Sequence, residues 1–189
     1  MLRIFDLDVA KDSPILMLKG HVGRVANLAW SPHFPQLIAS TSDDKTVRVW
    51  NVESNEVRIL EGHTQNTRAI SWNSEVPWLL VSGSWDSSIR VWDIRSQESI
   101  YVLYDHIADV YAIQSHPKRP FVYASCSRDT SIRLWSFQGF ISPLKMKLVL
   151  RHQLESMNGG DEPLTAFHLL NAKSSITETV TPLLGIVGR

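Results

Sequence analysis

Three residue types that can move protons or attack a carbonyl recur together along this chain. His21, Ser40 and Asp44 are the types of an acyl-transfer triad, in which a histidine takes the serine proton and a carboxylate orients the imidazole. The same set returns as His63, Ser82 and Asp86, and again as His106, Ser125 and Asp129. In every set the serine follows the histidine by 19 residues and the aspartate follows the serine by 4. A hydrolase needs one such set, with an oxyanion hole and a strained nucleophile turn. Three sets at fixed offsets, with no Gly-x-Ser-x-Gly elbow, argue for a structural role and against catalysis. Each set also closes on a tryptophan six residues after its aspartate: Trp50, Trp92 and Trp135.

The elements that hold these residues repeat with them. Histidines and tryptophans are both spaced by 42 and then 43 residues, and an arginine lies two before each tryptophan, at Arg48, Arg90 and Arg133. A truncated copy precedes them, with Arg3-Ile4-Phe5-Asp6 aligned on Arg48-Val49-Trp50-Asn51 and Phe5 in the tryptophan slot. The first period predicts strands over Val25–Trp30, Leu37–Ser42, Thr46–Val52 and Val57–Leu60. The second predicts Thr67–Trp72, Trp78–Ser84, Ser88–Ile94 and Ser99–Leu103. The third predicts Val110–Ser115, Phe121–Ser127, Ser131–Phe137 and Leu144–Leu150. Turn residues bound each run, and no helical period competes up to residue 137. Four short antiparallel strands repeated every 42 or 43 residues read as blades of an all-β propeller.

Gly-His, a spacer of 28 residues, then Trp and often Asp resembles the WD40 repeat over about residues 2–151. The resemblance implies that the outermost strand of one blade leads directly into the innermost strand of the next. It also implies a tetrad in each blade, with Trp donating to Ser, Ser to His and His to Asp. The sets are His21/Ser40/Asp44/Trp50, His63/Ser82/Asp86/Trp92 and His106/Ser125/Asp129/Trp135. The expected organisation is a partial WD40 propeller over 1–151: a half blade at 1–20 and repeats at 20–61, 62–104 and 105–151. Residues 152–189 stay unassigned. They hold the turn cluster Asn158–Pro163 and apolar stretches, but no closing tryptophan. About three full blades plus half a blade make an incomplete ring, since closed rings use typically 4–8 blades. Open blade ends expose apolar faces and strand edges. The chain alone is therefore expected to be poorly soluble, oligomeric, or completed by other blades.

Propellers bind through loops held on a rigid frame. The resemblance points to positions one and three after each histidine and the one before each turn aspartate. These are Val22, Arg24 and Asp43; Thr64, Asn66 and Trp85; Ile107, Asp109 and Arg128. Trp85 fills a slot held by Asp43 and Arg128 in the other repeats. It reads either as an interface anchor or as a residue packed on a neighbouring loop. Trp92-Asp93-Ile94-Arg95 resembles the closing box of WD40 substrate receptors for cullin-4 ubiquitin ligases, with Asp93 and Arg95 as its informative members and Arg95 as the adaptor contact. The competing reading is an exposed ion pair at a strand end. Arg3, Arg48, Arg90 and Arg133 are expected to cover apolar surface with their stems and to pair with carboxylates on neighbouring strands.

Composition limits the remaining classes. Lys plus Arg and Asp plus Glu both count 19, so formal net charge is zero, without the global basic field of a phosphate-bound protein. Lys145, Lys147 and Arg151 make only a local basic segment. The single cysteine, Cys126, excludes an internal disulfide framework. His106, His116 and Cys126 lie ten apart, which is not a zinc-ligand spacing. No metal, no cofactor and no membrane partner is expected. The chain reads as a non-catalytic scaffold for protein or peptide partners, intracellular, in cytoplasm or nucleus, and not secreted. The alternatives are a ubiquitin-ligase substrate receptor, a hydrolase and a nucleic-acid-binding protein.

Overall fold

A computed structural model describes residues 1–4 and 16–136. Phe5, the strand expected at Leu144–Leu150, the basic segment 145–151 and the segment 152–189 lie outside the described residues. Among those described, every regular element is a strand. A strand pair comes first, β1 (Leu2–Ile4) with β2 (Leu16–Leu18). A four-stranded sheet follows: β3 (Val25–Trp30), β4 (Leu37–Ser42), β5 (Val47–Asn51) and β6 (Val57–Leu60). The next is β7 (Thr67–Trp72), β8 (Leu79–Ser84), β9 (Ile89–Asp93) and β10 (Glu98–Leu103). The last is β11 (Val110–His116), β12 (Arg119–Ser127) and β13 (Ile132–Ser136). All pairings are antiparallel and join neighbours in sequence. These are consecutive blades of an incomplete β-propeller.

Several strands are shorter than the sequence pattern suggests, and the reason is local. Thr46 and Ser88 leave the ladder because their amides bond to Asp44 Oδ1 and Asp86 Oδ1. Val52 and Ile94 leave it because their amides bond to the carbonyls of Gln36 and Trp78 in the preceding loop. The third sheet differs at its first hairpin. His116 ends β11 and pairs with Arg119, so Pro117-Lys118 make a tight turn there.

The turns that carry the aspartates are alike in all three sheets. Lys45, Ser87 and Thr130 donate their amides to the carbonyls of Ser42, Ser84 and Ser127. Each adopts positive φ, at 71°, 66° and 65°. This is a tight hairpin closed by a residue in the left-handed region, a conformation that costs free energy for any residue with a Cβ.

The middle four-stranded sheet buries both faces against its neighbours, and β7 touches β3 on one side and β11 on the other. Ala39, Val47, Val49 and Leu60 of the first four-stranded sheet pack on Ile70, Trp72, Leu80 and Trp92 of the second. The opposite face of that second sheet offers Ala69, Val81, Ile89 and Val91 to Val110, Ile113, Tyr123 and Trp135. On the far side of the first sheet, Leu2 and Leu18 cover Ile38 and Trp50. Full burial explains why β8 is apolar or small throughout: all six of its residues are buried. It also explains Gly83, where an added Cβ would lie 2.5 Å from Val110 Cγ1 in the next sheet.

Polar groups tie the sheets where they meet. Trp72 Nε1 donates to the Ala29 carbonyl at 2.9 Å, and the Ser115 amide to Ser71 Oγ at 3.0 Å. Asn73 Nδ2 donates to Tyr123 Oη at 2.8 Å. Burial pushes the Tyr123 phenol well above its ordinary range, and the Asn73 contact only partly offsets this.

Candidate functional site

Each histidine sits in the link between the outer strand of one sheet and the inner strand of the next. Its serine lies on the second strand, its aspartate in the following turn and its tryptophan on the third strand. The fold brings the four together in every sheet. The tryptophan Nε1 donates to the serine Oγ at 2.8, 2.8 and 2.6 Å. The serine Oγ meets the histidine Nε2 at 2.8, 2.8 and 2.7 Å. The histidine Nδ1 meets the aspartate Oδ2 at 2.8, 2.9 and 2.7 Å. Because the serine oxygen already accepts from the indole, its proton goes to Nε2, and Nδ1–H then donates to the carboxylate.

The network has a fifth member that the triad pattern does not reveal. Thr46, Ser88 and Ser131 donate their hydroxyls to Oδ1 of Asp44, Asp86 and Asp129 at 2.7, 2.6 and 2.6 Å. Their backbone amides bond to the same oxygen. The signal was present as a hydroxyl two residues after each aspartate. The amides of Val22, Thr64 and Ile107 complete the set by donating to Oδ2. Burial alone would push these carboxyls up. The donors from Thr46, His21 and Val22 outweigh it and hold Asp44 well below the carboxylate range, and the equivalent donors do the same for Asp86 and Asp129. Burial lowers the His21 imidazole below its ordinary value despite Asp44.

A nucleophile needs a free lone pair facing substrate and a base ready to take its proton. Here each serine oxygen is buried, fixed by an indole, and shares its proton with a histidine that is itself buried or nearly so. Chemically the arrangement can anchor a turn. Among the described residues, no group of three or more His, Cys, Asp or Glu side chains is gathered in a metal-binding arrangement. Cys126 is a free, half-buried thiol in β12.

The arginines beside the tryptophans behave in two ways. Arg48 and Arg90 lie over Trp50 and Trp92, each 5.8 Å from the ring centre. They fill the space where Gly20 and Gly62 lack a Cβ. Neither forms an ion pair with a carboxylate among the described residues, which corrects the expected cross-strand pairing: the guanidinium is drawn over the indole face instead. In the third sheet Asp105 takes the glycine position, and Arg133 pairs with it.

The nine loop positions divide by exposure. Val22, Arg24, Thr64, Ile107 and Arg128 are exposed, whereas Asp43, Asn66, Trp85 and Asp109 are half-buried. Their backbones are matched: the amides of Asp43, Trp85 and Arg128 donate to the carbonyls of Arg24, Asn66 and Asp109. The facing side chains are matched too. Arg24 approaches Asp43 at 3.4 Å, and Arg128 approaches Asp109 at 3.7 Å with the charges exchanged. Between them the Arg68 guanidinium lies 4.4 Å from the Trp85 ring centre and 2.8 Å from Asp43. Trp85 is thus packed beneath Arg68. That residue escaped the sequence reading because its strand position is Ala26 and Tyr111 in the other repeats.

Arg95 is engaged within its own strand end. Its Nε and Nη2 reach Asp93 Oδ1 and Oδ2 at 3.0 and 2.6 Å, and it lies 5.3 Å from the Trp78 ring centre.

The model of the "WD domain, G-beta repeat" matches residues 12–51, 54–93 and 97–136, each match ending at or beside the third strand that bears the tetrad tryptophan. The chain belongs to the WD40 repeat family. The WD40 chain is 41% identical over 47 residues to the WD repeat-containing protein 26 homolog of Drosophila melanogaster, which covers 25% of this chain and 8% of that protein. It is 38% identical over 52 residues to the nucleoporin Nup37 of Homo sapiens, covering 28% and 16%. It is 45% identical over 47 residues to THO complex subunit 3 of Arabidopsis thaliana, covering 25% and 14%. The WD40 chain therefore spans less than a fifth of the length of these curated relatives. Its described residues contain no helix long and apolar enough to cross a membrane.

Proposed function

We propose that this WD40 chain is a non-catalytic interaction scaffold, and that proteins or peptides dock on the face bearing the tetrad turns. One observation carries the reading. The three His-Ser-Asp sets, the residues best suited to catalysis, are consumed in fixing the turns from which Val22, Arg24, Thr64, Ile107 and Arg128 project. Exposed side chains on rigid backbone suit recognition, because little conformational freedom is lost on binding. Val22 and Ile107 are 91% and 85% exposed, a placement that gains free energy only when something covers them. Arg24 and Arg128 stand beside them with side chains 71% exposed.

Relatives support the class of partner. Two carry names describing a complex subunit and a nucleoporin, and another is a probable cytosolic iron-sulfur protein assembly protein of Caenorhabditis elegans. We extend from these names a role inside a protein assembly, in cytoplasm or nucleus. No observation favours the cullin-4 receptor reading, which requires Arg95 to leave its two-point contact with Asp93.

The test is affinity capture with the full chain against a Val22→Asp, Ile107→Asp, Arg128→Glu triple variant, quantified by mass spectrometry. The expected result is loss of a defined subset of captured proteins at unchanged thermal stability. An identical captured set from both forms would overturn the proposal. Retention of a ligase adaptor by the wild-type chain and its loss from Arg95→Ala would establish the alternative.

A further inference from the structure

Two arginines converge on the turn between β9 and β10, residues 94–97, at the end of the sheet opposite the tetrad turns. Arg58, from β6 of the preceding sheet, donates Nη1 to the Ile94 carbonyl at 3.1 Å. Arg95, inside the turn, is held by Asp93 through both Nε and Nη2 and lies 5.3 Å from the Trp78 ring centre. Each guanidinium is therefore positioned by contacts of its own. Ser96 follows Arg95 in the turn and is exposed, as are Gln97 and Glu98. It is two residues from Ile94, so its Cα lies within about 8 Å of the residue whose carbonyl anchors Arg58.

The first four-stranded sheet supplies an internal comparison. Its β5–β6 turn has the same form: Asn55 and Gln97 both adopt φ of 60°, and the amides of Glu53 and Arg95 donate to Oδ1 of Asn51 and Asp93. Ser54 is thus the counterpart of Ser96, and it too is exposed. Its surroundings differ at both charged positions. Glu53 stands where the second sheet has Arg95. By strand register, Leu16 of β2 stands where it has Arg58. The acidic residues of the Ser96 turn are Asp93, which Arg95 already pairs, and Glu98, whose place Glu56 takes in the first sheet. One hydroxyl position therefore has two cations beside it in one sheet and none of them in the other.

We propose that Ser96 is a phosphorylation site whose phosphate is received by Arg58 and Arg95. A protein kinase transfers the γ-phosphoryl group of a nucleoside triphosphate to Ser96 Oγ. The new P–O bond forms as the bond to the β-phosphate oxygen breaks, the hydroxyl proton is lost, and the nucleoside diphosphate leaves. The phosphoserine then carries close to two negative charges and three strong acceptor oxygens. A guanidinium has five N–H donors in a planar fork, so Arg95 can serve the phosphate while keeping Asp93. Arg58 brings the second positive charge from the preceding sheet, so the modification fastens the seam between the two sheets. This turn lies away from the tetrad face, so the two proposals stand or fall separately.

The experiment places phosphoserine by genetic encoding at position 96 or, separately, at position 54 of the full chain, and titrates each by phosphorus NMR. The second phosphate pKa is ordinarily about 6. At position 96 it should fall by about half a unit or more, because neighbouring cations favour the dianion. At position 54 it should rise, because Glu53 and Glu56 oppose it. Arg58→Gln should return the position-96 value toward the ordinary one, and Arg58→Lys, which keeps the charge, should retain most of the shift. Arg58 is exposed, and circular dichroism of the unmodified variants verifies that they fold. The phosphate at 96 should also raise the melting temperature by roughly 2–4 °C and slow amide exchange at residues 94–97. Mass spectrometry of the protein isolated from its own cells, with phosphatases inhibited, should find phosphate on Ser96. Equal pKa values at the two positions, or a position-96 value indifferent to Arg58→Gln, overturns the proposal. So does recovery of Ser96 only in unmodified form. Saturable protection of the same amides in the unmodified chain by inorganic phosphate would overturn it as well, assigning the arginines to a free anion.

Discussion

The guanidinium of Arg68 lies between two blades, 4.4 Å from the ring centre of Trp85 in its own sheet and 2.8 Å from Asp43 in the preceding one. Its side chain is only 13% exposed. Partly desolvated cation–π contacts contribute up to about 2 kcal/mol, while the Asp43 pair, more open to water, contributes less. Arg68→Ala is expected to lower unfolding stability by about 1–2 kcal/mol, and Arg68→Lys by less. A double-mutant cycle with Trp85→Ala, measured by urea denaturation, should return a coupling above about 0.5 kcal/mol. A coupling of zero would mean that the stacked geometry carries no energy.

In the middle tetrad Ser82 and Trp92 are fully buried, and its aspartate satisfies four donors: His63 Nδ1, the amides of Thr64 and Ser88, and the Ser88 hydroxyl. Asp86→Ala leaves all four without their acceptor. The expected loss is about 3 kcal/mol, and Ser88→Ala should lose about 1 kcal/mol by removing a single donor. Equal denaturation midpoints for wild type and Asp86→Ala would exclude a stabilising tetrad.

Gly83 has no room for a methyl group, because Val110 of the next sheet occupies it. Gly83→Ala should cost about 1–3 kcal/mol through overpacking. Val110→Ala in the same chain should return part of that loss, since it removes the clashing Cγ1. Additive effects in the double variant would place the cost elsewhere.

Acid should unfold the protein in two stages. Burial lowers the His21 imidazole, so below its ordinary value near 6.5 the unfolded chain binds a proton that the native chain refuses. Asp44, Asp86 and Asp129 are held below the carboxylate range by their donors. The unfolded chain therefore takes up further protons as pH falls through about 4. In both stages the unfolded state binds more protons, so stability is full at neutral pH and declines with acidification. Urea midpoints should fall modestly from pH 7 to pH 5 and steeply below pH 4. A flat profile would contradict both assignments.

Much of the fold was legible because repetition multiplies weak signals. A single Gly-His or a single Trp-Asp says little, but three copies at offsets of 42 and 43 set strand number, order and register together. Four of the predicted strands have the observed bounds. At Thr46, Val52, Ser88 and Ile94 the strand falls short because a turn carboxylate or a loop carbonyl takes an amide that the pattern assigned to a ladder; other ends shift by one or two residues, as at Trp78, Glu98, His116, Arg119 and Ser131. Side-chain conformation was less accessible. The sequence shows that Arg48 and Arg90 face the same side as Trp50 and Trp92. It does not show whether a guanidinium will choose an indole or a carboxylate, a competition decided by the loop carrying Gly20 or Gly62. Arg68 was invisible for a related reason: its importance arises from a contact between sheets, and the pattern compares positions within them.

Asp105 stands where Gly20 and Gly62 stand, yet the third tetrad is complete. The glycine therefore answers to the arginine lying on the tryptophan and not to the histidine beside it. Two latches exist for one blade corner: glycine with arginine over the indole, or aspartate with arginine turned toward it. One nucleotide change converts glycine to aspartate, and the partner arginine is already in place to receive it. A repeat of this kind can pass from one latch to the other without crossing an unfolded intermediate genotype. Gene duplication can thus yield blades whose most conspicuous dipeptide diverges while their internal bonding stays the same.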